Sequence, residues 1–238
     1  MPGKLNKIII GIVLLIVGVD SMISAQGGYD FLFEDGVKYN PNRFGYSLGS
    51  PMLFDPWVVG TVYSNTGSTY YPLLVNFNVF EGKWEARGNE KVITLDPEYF
   101  WCIMVYKKDN LFADKNIADT MVFIRGLLPK NENEYAQILY NGQNFKLIKQ
   151  FKVSKSKQAG NSENQLALSR YLHRAVYYLV FESKHHRVAL NKSDMIKTFT
   201  KNKKAIKKFL DKEELDPREE YEWIEVLNRI EKEFYTTY

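Results

Sequence analysis

The stretch from Gly60 to Pro97 constrains the fold of this chain more than any other part of the sequence. Within it, side chains follow the two-residue period that is typical of a half-buried strand. The apolar face consists of Leu73, Val75, Phe77 and Val79, and the polar face carries Asn76 and Asn78. Turn-forming residues interrupt the stretch at 65–68, 81–83 and 87–89, which predicts a meander of antiparallel strands.

The strand pattern continues through the middle of the chain. Both faces of Trp101–Val105 are apolar, which predicts a central strand. We predict further strands at 121–125, 134–140 and 145–153, with Asn141-Gly142 as a hairpin turn because both residues tolerate positive φ. Polar composition predicts loops at 107–119 and 154–164. A last hairpin is expected to pair 174–182 with 187–190 through a turn at 183–186.

From Asn191 onward the hydrophobic period changes from two to 3.6, which predicts three helices. Asn191 is expected to cap the first, and the second is expected over about Lys203–Leu210. For the third, we predict Asp216 as the N-cap, Pro217 as the first helical residue, and a capping pair completed by Glu219. The predicted buried faces are Met195, Ile196 and Phe199; Ile206, Phe209 and Leu210; and Trp223, Leu227, Ile230 and Phe234.

The start of the chain predicts export. Lys4 and Lys7 precede an apolar run from Ile8 to Val19, and small residues follow as far as Ala25. This order is typical of a secretory signal peptide, and the run is shorter than the roughly 17–25 residues that cross a bilayer. We expect a signal peptide at 1–25, cleaved after Ala25, with no transmembrane segment left. An uncleaved anchor is the alternative. The expected location is the periplasm, the cell surface or the extracellular space.

The segment from 26 to 59 is rich in aromatic rings and in residues that break regular structure. We expect an irregular wrap, or short edge strands, docked on the sheet. A ring-lined binding surface is the functional interpretation, with Tyr39, Phe44, Tyr46 and Trp57 as its candidate residues. Glu34, Asp35 and Asp55 lie in the same segment and are the candidate carboxylates of a glycan hydrolase, although turns account for them equally.

Several chemistries lack their sequence signals. The single cysteine, Cys102, excludes an intramolecular disulfide, and its apolar surroundings predict a buried, inert thiol. His173, His185 and His186 do not have metal-ligand spacing, and phosphate-binding glycine loops and a nucleophile elbow are absent. We therefore predict no catalytic, cofactor or metal residue.

A lysine-rich run in the second predicted helix could bind phosphates, but the acidic third helix partly cancels its field. Together with export, and with a net charge of only +4, this argues against a nucleic-acid partner.

Two stretches of the sequence resemble a family of uncharacterised exported proteins common in the Bacteroidota. The first includes Gly49-Ser50-Pro51, Trp57, Gly60–Tyr63 and Pro72–Phe80, and the second runs from Val176 to Leu210. The resemblance implies export and an order of strands followed by helices. It implies no activity and no catalytic residue.

These observations predict an α+β fold. An antiparallel β body at 60–190 is expected to follow the N-terminal segment at 26–59 and to precede a three-helix segment at 191–238 that packs on it. For function, we expect an exported, non-enzymatic protein that binds a partner protein or an envelope component, with an envelope protein or a glycan as the candidate partners. The alternative is an exported hydrolase that acts on glycans.

Overall fold

The structure is a computed structural model. It describes residues 30–44, 47–88, 90–106, 120–158 and 168–235. The predicted signal peptide, the loop predicted at 107–119 and Tyr46 lie outside the described residues.

The described residues form twelve strands and three helices, after a short 3₁₀ helix at Asp30–Phe33. The strands are β1 Val37–Lys38, β2 Ser47–Leu48, β3 Val58–Ser64, β4 Thr69–Asn78, β5 Lys83–Gly88, β6 Lys91–Leu95, β7 Phe100–Tyr106, β8 Thr120–Arg125, β9 Tyr135–Asn141, β10 Phe145–Gln158, β11 Leu168–Phe181 and β12 Lys184–Val188. The helices are α1 Lys192–Thr198, α2 Lys203–Lys212 and α3 Glu220–Phe234. The predicted α+β fold, with a mostly antiparallel sheet and a helical C-terminal segment, is confirmed.

All twelve strands belong to a single sheet. Its order is β1-β6-β5-β4-β3-β7-β8-β9-β10-β11-β12, and β2 pairs with β11. The pairing of β2 with β11 is parallel, whereas neighbours along the rest of this order pair antiparallel. The turns predicted at 65–68 and 81–83 lie at the β3–β4 and β4–β5 connections. The turn predicted at 87–89 overlaps the end of β5, with Asn89 outside the described residues, and β5 pairs antiparallel with β6, so the meander is confirmed.

The sheet curls around Trp84, which is fully buried. Trp84 on β5 packs against Phe123 on β8, with ring centroids 4.8 Å apart. In a flat sheet these strands would be four spacings apart, or about 19 Å. Phe123 in turn contacts Phe151 on β10 at 6.0 Å. We call the concave side of β3–β8, which holds this core, the inner face, and the opposite side the outer face.

A second core joins the helices to the sheet. Phe145 and Leu147 of β10, together with Leu179 and Phe181 of β11, pack against the buried faces of the three helices. The helical residues in this core include Met195, Phe199, Ile206, Phe209, Leu210, Trp223, Leu227 and Ile230, as the helical period predicts.

Three local predictions are wrong. Residues 154–158 are not a loop: they continue β10, because each of them pairs with a residue of β11 between Leu168 and Leu172. The turn of the last hairpin is Glu182-Ser183, both with positive φ, so His185 and His186 lie in β12. Helix α3 begins at Glu220 rather than at Pro217.

The late start of α3 has a clear cause. Glu219 is the N-cap, and its side chain and that of Glu222 form a reciprocal capping box with the backbone. Because this pair satisfies the free N–H groups of the first turn, the Asp216-Pro217 signal is not needed. The cap predicted for α1 is confirmed, since Asn191 Oδ1 accepts a hydrogen bond from Asp194 N at 2.9 Å.

Candidate binding surface on the outer face of the sheet

The chain before β3 covers part of the outer face. Residues 51–54 extend the line of β3 along β4: Leu53 N donates to the Phe77 carbonyl at 2.8 Å, and Val79 N donates to that of Pro51 at 2.9 Å. On the outer face, Asn76, which bonds to Phe54, is 2% exposed, and Asn78, which bonds to Glu85, is 1% exposed. The polar face predicted for β4 is therefore buried, not solvated.

Asn76 holds the bulge that precedes β3. Its side chain accepts from Phe54 N at 3.1 Å and donates to the Phe54 carbonyl at 2.8 Å. These bonds satisfy the backbone N–H and carbonyl of Phe54. Trp57 lies on this bulge, next to the outer face.

Two of the predicted ring residues meet here. Tyr39 and Trp57 pack edge to face, with ring centroids 6.0 Å apart and planes at 85°. The Arg87 guanidinium lies 4.1 Å above the Tyr39 ring. Leu74, which pairs with Arg87 across β4 and β5, is 41% exposed. We call Tyr39, Trp57, Arg87 and Leu74 the ring surface.

Phe44 belongs to a neighbouring cluster. The Arg43 guanidinium lies 4.6 Å above the Phe44 ring and forms a very short ion pair with Glu85. The Glu85 side chain is 5% exposed, and Asn78 Nδ2 lies 3.4 Å from its Oε1. Glu85 and Arg87 are two residues apart on β5 and so share the outer face, about 7 Å from each other.

The predicted rings are thus organised by two arginines. Sequence analysis missed Arg43, Arg87 and Glu85, although the spacing of Glu85 and Arg87 places both on one face of a predicted strand. Nothing in the local sequence indicates which loop will cover that face. The surface offers half-buried aromatic rings, guanidinium donors and an apolar side chain, which together can hold a ligand that has both apolar and hydrogen-bonding groups.

The carboxylates of the hydrolase alternative do not share a cavity. Glu34, Asp35 and Asp55 are all exposed. Lys91 Nζ of β6 lies 2.8 Å from the Glu34 carbonyl, whereas Asp55 lies in the bulge before β3. None of the three lines the two cavities described below.

One of these cavities, about 210 Å³ in volume, lies between the β4–β5 turn and β9–β10. Its polar lining includes Glu134, Gln150 and Lys152. Glu134 accepts a hydrogen bond from Gln150 and lies 3.9 Å from Lys152 Nζ. The Glu134 carboxylate in this cavity is therefore already bonded to groups of the protein itself.

The other cavity, on the outer face of β7–β9, is apolar and about 170 Å³ in volume. Its lining consists of Trp101, Cys102, Met104, Val122, Ile124, Ile138 and Asn141. The thiol of Cys102 is buried, as predicted, and burial raises its pKa to about 12. The thiolate is therefore scarce at neutral pH, and Cys102 is a poor nucleophile.

Within the described ranges, no group of three or more His, Cys, Asp or Glu residues is placed to hold a metal ion. His185 Nε2 lies 2.8 Å from the Leu127 carbonyl, and His173 Nε2 lies 2.6 Å from that of Ser50. In the same ranges, no helix has the length and apolarity needed to span a membrane.

No family model matches this chain. No curated protein and no solved structure is significantly similar to it either. Its function therefore has to be argued from its own surfaces.

Proposed function

We propose that this is an exported, non-enzymatic protein that binds an envelope component, a glycan, on the ring surface. The observation that carries the proposal is the contact of Tyr39 with Trp57 beside the Arg87 guanidinium. Aromatic faces pack against the C–H groups of sugar rings, and guanidinium groups donate hydrogen bonds to sugar oxygens. Ring and cation are both half-exposed at one place, as a ligand of this kind requires.

The charges at the surface support binding rather than hydrolysis. Glycoside hydrolysis requires two carboxyl groups facing one another across the scissile bond, about 5–10 Å apart. At this surface the buried carboxylate is Glu85, and Arg43 already neutralises it. Glu34, Asp35 and Asp55 are exposed, and none of them lines the cavities of about 210 and 170 Å³.

The test measures the affinity of the exported protein for glycans fractionated from its own cell envelope. Trp84 and Trp223 are fully buried, so quenching of tryptophan fluorescence by acrylamide reports mainly on Trp57 and Trp101. We expect the glycan to protect Trp57. Trp57→Ala is expected to weaken binding at least tenfold, since truncating a central aromatic contact costs more than about 1 kcal/mol.

Tyr99→Ala is the matched control, because Tyr99 is 63% exposed and lies in the turn between β6 and β7, away from the ring surface. Its affinity is expected to equal that of the wild type. The proposal is wrong if no envelope glycan binds, or if Trp57→Ala and Tyr99→Ala bind equally well. Capture of a protein at Trp57 by crosslinking, without any glycan binding, would replace the glycan with a protein partner.

A further inference from the structure

The β10–β11 hairpin is strongly basic. Its strands are 14 residues each and pair along their whole length, from Phe145 with Phe181 to Gln158 with Leu168. At about 3.4 Å per residue the ribbon is about 45 Å long. The two strands contain no Asp or Glu, and their basic residues are Lys146, Lys149, Lys152, Lys155, Lys157, Arg170 and Arg174.

In the half of the hairpin farther from the helices, which pairs 151–158 with 168–175, one face of the ribbon is exposed to solvent. On the other face, Phe151 and Val153 pack on the Trp84 core, and Tyr171 is covered by Phe80, with ring centroids 6.0 Å apart. Lys155 Nζ lies 5.4 Å from the Tyr171 ring on that covered face.

Strand register places cations and leucines together on the open face. Arg174 pairs with Lys152, Leu172 with Ser154, and Arg170 with Ser156. Residues paired across antiparallel strands point to the same side, as do residues two apart. On the other edge of β11, Leu48 of β2 pairs with Arg170. We call Leu48, Lys152, Arg170, Leu172 and Arg174 the cationic face.

In the described part of the chain, the cations of this face have little acidic charge beside them. Arg170 and Arg174 are exposed, and neither forms an ion pair with any residue in the described ranges. Lys152 has Glu134 at 3.9 Å, with both side chains about 40% exposed. Like charges directly opposite one another, such as Lys152 and Arg174, destabilise a sheet. A bound anion would remove that repulsion.

The leucines indicate which anion fits. Leu48 and Leu172 are 47% and 45% exposed, and they lie among the cations rather than apart from them. A hydrated polyanion would give these side chains no apolar partner. An anionic lipid surface would, because its phosphates accept hydrogen bonds from guanidinium groups while its acyl boundary receives apolar side chains.

We infer that the cationic face docks the protein on a membrane surface rich in anionic phospholipid. The arginines bind lipid phosphates, and Leu48 and Leu172 enter the boundary between headgroups and acyl chains. The docking is peripheral, and it does not rest on glycan binding at the ring surface.

The test is co-sedimentation of the exported protein with vesicles of phosphatidylcholine, with and without about a third of phosphatidylglycerol. We expect binding to the anionic vesicles only. Each basic residue near such a surface contributes about fivefold in partitioning, so Arg170→Gln with Arg174→Gln is expected to weaken binding about 25-fold. Leu48→Ser with Leu172→Ser is expected to weaken it several-fold without any change of charge.

The matched control is Lys207→Gln with Lys208→Gln. Both lysines are exposed on α2, and their replacement changes the net charge by the same amount. This variant, and Trp57→Ala, are expected to bind like the wild type, and circular dichroism establishes that all variants are folded.

Three results would overturn the inference. Equal losses in the arginine and lysine variants would mean that only net charge matters. Equal binding to neutral vesicles would assign the interaction to an apolar segment elsewhere. Undiminished vesicle binding by the leucine variant, with full competition by dextran sulfate, would make the face a site for soluble polyanions.

Discussion

Glu231 joins helix α3 to the sheet, and its replacement is the sharpest test of how the two cores are connected. The residue is 8% exposed. Its carboxylate accepts hydrogen bonds from the Tyr140 hydroxyl at 2.5 Å and from Asn144 N at 2.5 Å. The Asn144 side chain adds a longer bond at 3.3 Å. Tyr140 is on β9 and Asn144 is in the turn before β10, so one side chain fixes the helix against this turn.

The size of the effect follows from these contacts. A hydrogen bond to a charged group contributes about 1.5–3 kcal/mol, and Glu231→Ala removes two short ones. Burying a carboxylate costs several kcal/mol of desolvation in the wild type. Because the Glu231→Ala variant does not pay this cost, part of the lost free energy is recovered. We expect a net loss of about 3 kcal/mol in the free energy of unfolding, at the high end for a single substitution.

The assay is urea unfolding followed by far-UV circular dichroism and tryptophan fluorescence, since Trp223 lies in α3. Glu225→Gln on the exposed side of the same helix is the control and is expected to stay within about 0.5 kcal/mol of the wild type. Glu231→Gln combined with Tyr140→Phe in a double-mutant cycle is expected to show a coupling of about 1–2 kcal/mol. Additive effects in the cycle, or a Glu231→Ala variant as stable as the control, would show that the contacts of Glu231 with Tyr140 and Asn144 do not hold α3 against the sheet.

Four further predictions concern the same region. Gly142→Ala is expected to cost about 2 kcal/mol, because a Cβ there would overlap the Glu231 carboxylate and the Tyr140 ring; thermal unfolding measures it. Asn191→Ala is expected to cost about 1 kcal/mol in urea unfolding, and Asn191→Ser, which can still cap α1, less. Burial, and then the hydrogen bond to Glu231, raise the pKa of Tyr140 above its usual value near 10. The protonated hydroxyl of Tyr140 therefore contributes to the stability of the fold below about pH 10, and this contribution is lost as pH rises further. Stability measured from pH 8 to 12 is expected to fall more gently in Tyr140→Phe. Deletion of 191–238 is expected to unfold the whole body, with loss of near-UV circular dichroism, and a body that stays folded would identify a separable tail.

The parts of the fold that sequence analysis predicted are those set by local periodicity. The alternation around Phe77 and the 3.6-residue spacing around Trp223 each depend on neighbours within one element, and both residues are buried as expected. The secondary structure of Ser154–Gln158 depends instead on pairing with β11, ten or more residues away in the sequence. A polar composition cannot indicate whether such a partner exists, so a strand was predicted to be a loop.

The hairpin turn at Asn141-Gly142 shows the same limit from another side. The dipeptide predicts positive φ, yet neither residue has it. Gly142 is needed for space, because Glu231 of α3 approaches it where any side chain would collide. The glycine therefore predicted the position of the turn correctly. The reason that a glycine is required there is the contact with Glu231, almost ninety residues away in the chain.

The candidate surface was predictable only in part for a related reason. Rings in the N-terminal segment are visible in the sequence, and the contact between Tyr39 and Trp57 requires only that the segment fold back on itself. The two arginines beside these rings come from different parts of the chain. Arg87 is in strand β5, whereas Arg43 is in the N-terminal segment and forms an ion pair with the buried Glu85. Such ion pairs depend on which segments the tertiary structure brings together, and local sequence does not show this.

Strand β10 explains why the sheet and the helical segment behave as one structure. Alternate residues of this strand contribute to both cores: Phe145 and Leu147 pack under the helices, whereas Phe151 and Val153 pack toward Trp84. Between them, Lys149 donates to Glu220 of α3 at 2.6 Å and lies 4.8 Å from the Phe151 ring.

Losing the helices would expose one half of β10 and leave Lys149 without its carboxylate. Because β10 contributes to both cores, we expect the loss of the helical core to weaken the packing of this strand on the core around Trp84 as well. The cationic face occupies the far end of the same strand, so its geometry also depends on how firmly the helices hold the near end.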